Sequence, residues 1–148
     1  MRTPVIAGNW KMNKTPDEAV RLINELKPLV AGARATVVVC PPYACLAAAK
    51  GALEGSNIRL GAQNLDYHDS CAYTGEISAD MLKALGVEYV IIGHSERRQY
   101  YNETDGSVNL KVRQALKSGL IPIMCVGELL EEREQGVTAE IVSMQTKL

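Results

Sequence analysis

Two polar pairs stand out by residue type and spacing: Asn9 with Lys11 at the end of one apolar run, and His94 with Glu96 at the end of another. Side chains alternate along a strand, so Val5, Ala7, Asn9 and Lys11 share one face. Val90, Ile92, His94 and Glu96 share a face in the same way, opposite Tyr89, Ile91, Gly93 and Ser95. In parallel α/β folds ligands bind beyond the carboxyl ends of the strands, so both pairs converge on one candidate site. A lysine ammonium there suits an anionic substrate or an oxyanion that develops during reaction. The Asn9 amide, with a donor and an acceptor, can hold Lys11 in place. Ser95 to Tyr100 reads as a short helix, whose positive N-terminal end favours a neutral imidazole on His94. Such a ring can donate to a substrate oxygen and shuttle protons between neighbouring oxygens. Glu96 is a candidate partner of these groups, or of Arg97.

Each of these residues also has a plainer reading. Lys11 is a surface lysine at a strand end, Asn9 makes an ordinary turn, and His94 is a buried, hydrogen-bonded histidine without a ligand. Trp10 reads as core. Glu128, Glu131, Glu132 and Glu134 around Arg133 read as the solvated start of a helix. Gly93-His94-Ser95-Glu96-Arg97 invites comparison with the G-x-S-x-G nucleophile elbow. Arg97, however, stands where the second glycine is needed, and only two histidines exist to act as a base. His68-x-x-Cys71 could be half a zinc site, but no second ligand pair accompanies it, and it reads as incidental.

The elements that must position these groups form a series. Apolar, β-branched runs begin near Val5, Thr36, Ile58, Glu88 and Leu120, and segments of helical period lie between them. The clearest opens on Thr15-Pro16-Asp17-Glu18, with a capping threonine, proline at the first helical position and a capping-box glutamate. Behind it Ala19, Leu22, Ile23, Leu26 and Val30 line one face. Ser78 can cap a helix through Met81, Leu82 and Leu85 that stops at Gly86. Val108, Val112, Ala115 and Leu116 mark another, ended by Gly119. A last helix follows Gly136, carries Ile141, Met144 and Leu148, and has no closing signal. Strand then helix, repeated, means parallel strands covered by helices, in an open doubly wound sheet or a (β/α)8 barrel. From Asp66 to Glu76 the strand-to-helix connection has eleven residues, against about 2–6 in ordinary α/β units. It carries Tyr67, Cys71 and Tyr73, so it either packs on itself or docks into another chain.

Composition bounds the rest. The chain has 148 residues, sixteen basic and seventeen acidic, for a formal charge of −1. A globule of this size hides about two-thirds of its unfolded surface, enough for a single core but not two. The 47% apolar and 22% charged fractions are ordinary for a globular protein. The charge balance speaks against nucleic acid as main partner, and no apolar run reaches the roughly 18 residues that span a bilayer. The N-terminal apolar patch is too short for a signal peptide. Cys40, Cys45, Cys71 and Cys125 include no C-x-x-C pair and read as reduced thiols of a cytoplasmic protein.

Five segments together carry a resemblance: Ala7-Gly8-Asn9-Trp10-Lys11-Met12-Asn13, Gly61-Ala62-Gln63-Asn64, Tyr73-Thr74-Gly75-Glu76, Ile92-Gly93-His94-Ser95-Glu96-Arg97-Arg98 and Cys125-Val126-Gly127-Glu128. In this order they closely resemble the triosephosphate isomerase family, over the whole chain but over only the first five of that family's eight βα units. The resemblance implies an α/β fold, a parallel (β/α) barrel that is incomplete, with residues 1–148 holding units one to five and ending within the fifth helix. It implies that Asn9 and Lys11 bind substrate, and that Lys11 stabilises negative charge on phosphate and enediolate. His94 polarises the carbonyl and relays protons; the neutral histidine electrophile is that family's known arrangement. Glu96 is implied as a supporting carboxylate and Cys125 as a packing residue behind the site. Tyr73, Thr74 and Gly75 fall in the family's dimer loop, with Thr74 reaching toward the other subunit's Asn9 and Lys11 region. Cys71 departs from the glycine expected before Ala72, which bears on the backbone of that loop.

The family's base, lid loop and phosphate-cradling amides lie beyond the fifth unit and match nothing in these residues; Glu128 is the nearest carboxylate, but its match in the family is not the base. A complete barrel takes roughly 250 residues. An open five-strand sheet has unpaired edges and inner faces without an opposite wall. The expectation is therefore one piece of a split or truncated isomerase, or a chain beside a second polypeptide that completes it. The activity implied interconverts dihydroxyacetone phosphate and glyceraldehyde 3-phosphate, without metal or organic cofactor. The competing reading is a non-catalytic assembly module that joins a complementary or identical chain; an esterase on Ser95 is the third.

Overall fold

The computed structural model describes residues 3–147. Leu148, expected on the face of the last helix, lies outside the described residues. The elements run β1 (Val5–Asn9), α1 (Pro16–Val30), β2 (Thr36–Cys40), a 3-10 turn (Tyr43–Cys45), α2 (Leu46–Leu53), β3 (Ile58–Ala62), α3 (Ala79–Ala84), β4 (Tyr89–Ile92), α4 (Ser95–Tyr100), α5 (Asp105–Lys117), β5 (Ile121–Met124), α6 (Leu130–Glu134) and α7 (Thr138–Lys147). Five parallel strands pair in sequence order and the sheet curls into part of a barrel. Ala7 pairs with Val38 and Asn9 with Cys40, while Ile92 pairs with Met124.

Strand alternation sorts the core into two layers. On the helix side Val37, Val39, Ile58, Leu60, Ala62, Val90 and Ile92 pack against Ile23, Leu46, Ala49, Leu82, Val108 and Ala115 of the helices. On the concave side Val38, Cys40 and Ile91 form a smaller cluster, with Tyr89, Ile123 and Cys125 against it. Gly61 allows this inner layer to close, since a Cβ there would stand 2.5 Å from the Cys40 sulfur. The expected open edges are present. Val5 is 45% exposed, Ile6 62% and Ile121 48%, because β1 and β5 each have a neighbour on one side only.

Local signals give α1 its start, though in altered form. Glu18 Oε2 accepts both the backbone N–H of Thr15 (2.8 Å) and its hydroxyl (3.0 Å), so the threonine donates to the glutamate instead of capping the helix. Ser78 Oγ accepts from the Met81 N–H, as the sequence suggests for α3. Two stripes are corrected. Met81 is 54% and Leu116 61% exposed, while Lys111 and Gln114 occupy the buried face of α5 beside Val108 and Ala115. The helix α2 has no sequence signal of its own, being alanine-rich and interrupted by Gly51, and forms because Leu46, Ala49 and Leu53 are buried.

The connection from Asp66 to Glu76 packs on itself at its base and is exposed toward its tip. Its base is self-packed: Asp66 N–H donates to Ile77 O, and the His68 ring stacks on Tyr73 with centroids 3.8 Å apart. Residues 69–76 are exposed. Cys71, where glycine was expected, has φ +100°, a conformation that disfavours a side chain. Cys71→Gly is expected to stabilise the chain by about 0.5–1 kcal/mol, relief of backbone strain exceeding the added unfolded-state entropy. A lowered urea midpoint for the variant contradicts this.

Candidate active site

The geometry begins with Lys11, just past β1. Its φ is +53°, unusual for lysine, and both of its backbone groups are pinned. Its N–H donates to Asn9 Oδ1 at 3.0 Å, and its carbonyl accepts from Gln63 Nε2 at 2.9 Å. Gln63 Nε2 also donates to Cys40 O at 2.8 Å, tying the ends of β1, β2 and β3 together. Strain held in place by surrounding hydrogen bonds is characteristic of functional positions. Asn9 thus holds Lys11 as the residue types suggested. No role for Gln63 was assigned from the sequence; its signals were its position just after a strand and its place in the Gly61-Ala62-Gln63-Asn64 segment.

Glu96 joins the two strand ends. Its Oε1 accepts from Lys11 Nζ at 2.7 Å, while Oε2 lies 3.5 Å from His94 Nδ1. The bonded Lys11 ammonium holds the Glu96 carboxyl below the usual carboxylate range. Of the two partners offered for Glu96, the structure selects the site; Arg97 pairs instead with Glu103. His94 caps α4, and its Nδ1 accepts the Glu96 N–H at 3.2 Å. That bond assigns the ring proton to Nε2, which is then free to donate to a ligand.

The alternation argument misplaces His94. It put the ring on the face of Val90 and Ile92, which is the helix side, whereas Ala7 and Asn9 pair with the concave residues Val38 and Cys40. The strand ends at Ile92, and Gly93 at φ +72° turns the chain, so the period of two stops before His94. A Cβ on Gly93 would also meet Val108 Cγ2 at 2.8 Å. Gly93→Ala is expected to cost about 2–4 kcal/mol, combining left-handed strain with overpacking. Urea titration checks it, and a loss under about 1 kcal/mol contradicts the role given to this glycine.

A cavity of about 710 Å³ opens beside β5, lined by His94, Ser95, Cys125, Gly127, Glu128 and Met144 among others. Lys11 does not line it, so the hollow extends from the His94 side of the site. Each carboxylate in its wall is engaged: Asp105 by Arg98, Glu132 by the Leu129 N–H, and Glu128 by Arg133 and Thr138. Glu128 is held below the usual carboxylate range, first by a backbone N–H. Burial pushes the Cys40 thiol up to about 12 and raises that of Cys125, so both stay protonated and pack the inner layer. Ser95 opens α4 one residue past His94, and the left-handed turn falls on Gly93, not on the serine as an elbow requires. No group of three or more candidate metal ligands exists among the described residues, and no helix among them is long and apolar enough to cross a membrane.

Consecutive parallel βα units, helices outside a curled sheet, and polar side chains gathered at the carboxyl ends of the strands define a (β/α)-barrel protein with its site at the usual end. The triosephosphate isomerase family model matches residues 4–148. A triosephosphate isomerase of Clostridium botulinum (strain Loch Maree / Type A3) is 61% identical over the whole chain, which spans 60% of that relative's length. One from Clostridium perfringens (strain SM101 / Type A) is 57% identical over 98% of the chain and 58% of its own length. The crystal structure of triosephosphate isomerase from Bartonella henselae superposes with a TM-score of 0.93 at 42% identity, covering 99% of this chain and 61% of that one. The chain belongs to the triosephosphate isomerase family, and its fold is the first part of that barrel.

Proposed function

We propose that these residues carry the lysine–histidine half of a triose-phosphate isomerase, which interconverts dihydroxyacetone phosphate and glyceraldehyde 3-phosphate through an enediolate. The observation that carries the reading is the Glu96 carboxylate, 2.7 Å from Lys11 Nζ on one oxygen and 3.5 Å from His94 Nδ1 on the other. With its carboxylate on Lys11 and its backbone N–H on His94 Nδ1, Glu96 stands between a fixed cation and an imidazole that come from separate strands to one mouth. Lys11 binds phosphate and stabilises enediolate charge, and Asn9 contacts substrate and orients Lys11. His94, protonated on Nε2, polarises the carbonyl and passes protons between the two enediol oxygens. Neither metal nor organic cofactor takes part. The 148 residues correspond to units one to five of the barrel, and the protein works in the cytoplasm as a homodimer. Its partner subunit receives Tyr73, Thr74 and Gly75 of the exposed loop.

The relatives' remaining length would supply the base, the lid and the phosphate cradle. Loss of a general base alone costs about 10²–10⁴-fold in rate, so the 148 residues by themselves are expected to turn over near background in a coupled assay. Mixing with a chain carrying the last three units is expected to restore activity. Full activity without that chain overturns the assignment of the base; none after assembly overturns the isomerase reading. A second reading has its own support: the exposed edges at Ile6 and Ile121 favour a module that only associates. Assembly without turnover of triose phosphate selects it.

A further inference from the structure

Arg98 lies on α4, below the turn that carries His94. Its Nε donates to Gly93 O at 2.8 Å, and its Nη1 pairs with Asp105 at 2.5 Å, at the start of α5. The Arg98 N–H also donates to His94 O at 3.1 Å. Its Nη2 is buried without a partner, 3.2 Å from where a Cβ on Gly93 would stand. We propose that Arg98 is a positioning residue for His94, its guanidinium fixing the Gly93–His94 peptide and so the direction of the imidazole. This rests on the isomerase reading only for its consequence in catalysis.

The physical argument is geometric. The oxygen of Gly93 and the nitrogen of His94 belong to one rigid plane. Pinning that oxygen fixes how the plane is rotated, and the rotation sets where the His94 Cα–Cβ bond points. Gly93 needs the restraint because glycine confines its own φ and ψ least of all residues. The guanidinium is suited to it: a planar fork can serve a carbonyl and a carboxylate at once, which a lysine ammonium cannot do in the same geometry. Asp105 holds the fork from the far side, linking the turn to α5, against which Gly93 is already packed through Val108.

The test reads His94 directly, by nitrogen resonances of its imidazole in the 148-residue chain. The unaltered chain is expected to show one tautomer, protonated on Nε2. In Arg98→Met the Nδ1 signal is expected to move toward the average of two exchanging tautomers, with a smaller movement in Arg98→Lys. In the assembled isomerase, Arg98→Met is expected to lower kcat about 10²-fold, the scale of a roughly 1 Å misplacement, with KM little changed. A purely structural arginine lowers the melting temperature and leaves the tautomer alone, and that result overturns the proposal. If Arg98→Met fails to fold, Asp105→Asn releases the fork from its far side and is expected to give the same shift in smaller measure; unchanged His94 signals there overturn it too. A chain whose His94 responds, yet whose assembled form never isomerises triose phosphate, sinks the isomerase reading and leaves this one standing.

Discussion

Lys11→Met is expected to reduce turnover of the completed isomerase by at least about 10²–10³-fold, the loss seen when one donor aimed at developing negative charge is removed. The deficit should be larger, because the same ammonium is assigned to the phosphate as well. Methionine keeps an unbranched apolar stem of nearly the same length and removes the charge and its N–H donors. The backbone bonds, from the Lys11 N–H to Asn9 Oδ1 and from Gln63 Nε2 to the Lys11 carbonyl, do not depend on it, so the left-handed turn persists. Glu96 is left without its ammonium, but its side chain is 41% exposed, and an exposed pair contributes little to stability. The variant should therefore be folded and inactive. A second readout needs no activity: the Glu96 carboxyl, freed of Lys11, should titrate higher than in the unaltered chain. A folded Lys11→Met enzyme with ordinary kcat removes the lysine from the mechanism.

Lys111→Met is expected to cost about 3–5 kcal/mol, since it breaks a buried ion pair from one side. The Lys111 and Glu103 side chains are only 7% and 4% exposed. Lys111 Nζ donates to Glu103 and to Asn64 Oδ1 at 2.9 Å, Arg97 Nε donates to the same Glu103 oxygen at 2.9 Å, and Tyr43 OH donates to Asn64 O at 2.5 Å. One cluster thereby fastens α4, α5 and the connections after β2, β3 and β4. Domains are commonly stable by only about 5–15 kcal/mol, so this change alone can unfold a chain with two open sheet edges. The urea midpoint measures it, and a loss under about 1 kcal/mol overturns the weight given to the cluster. Replacing Lys111 and Glu103 together by apolar residues should recover much of the loss.

The same pair has a pH signature. Burial opposes ionisation of Glu103, but the Lys111 and Arg97 bonds outweigh it and its carboxyl lies below the usual range. A carboxyl depressed in the folded state contributes stability that is full above its unfolded value of about 4.3 and disappears as pH falls through the folded value. The unaltered chain should thus lose stability in that acid window, and Glu103→Gln should flatten the slope there.

The amino-acid sequence by itself determined the strand starts, α1 and the short helix behind His94, and it singled out Asn9, Lys11 and His94 as candidates. These are read from alternation, from turn and cap residues and from family motifs, all of which act over a few neighbouring positions. It did not reveal α2, whose helix depends on burial more than on its own alanines and glycine. Nor did it reveal that Leu116 faces outward while Lys111 lies inside, because the charge becomes tolerable only when Asn64 and Glu103 arrive beside it. Tertiary structure alone decided which partner Glu96 takes, that Gln63 braces Lys11, and that Gly93 redirects His94 toward the mouth. Residue 11 meets residue 96 only after four strands have come into register, and no local pattern encodes a contact made by closing the sheet.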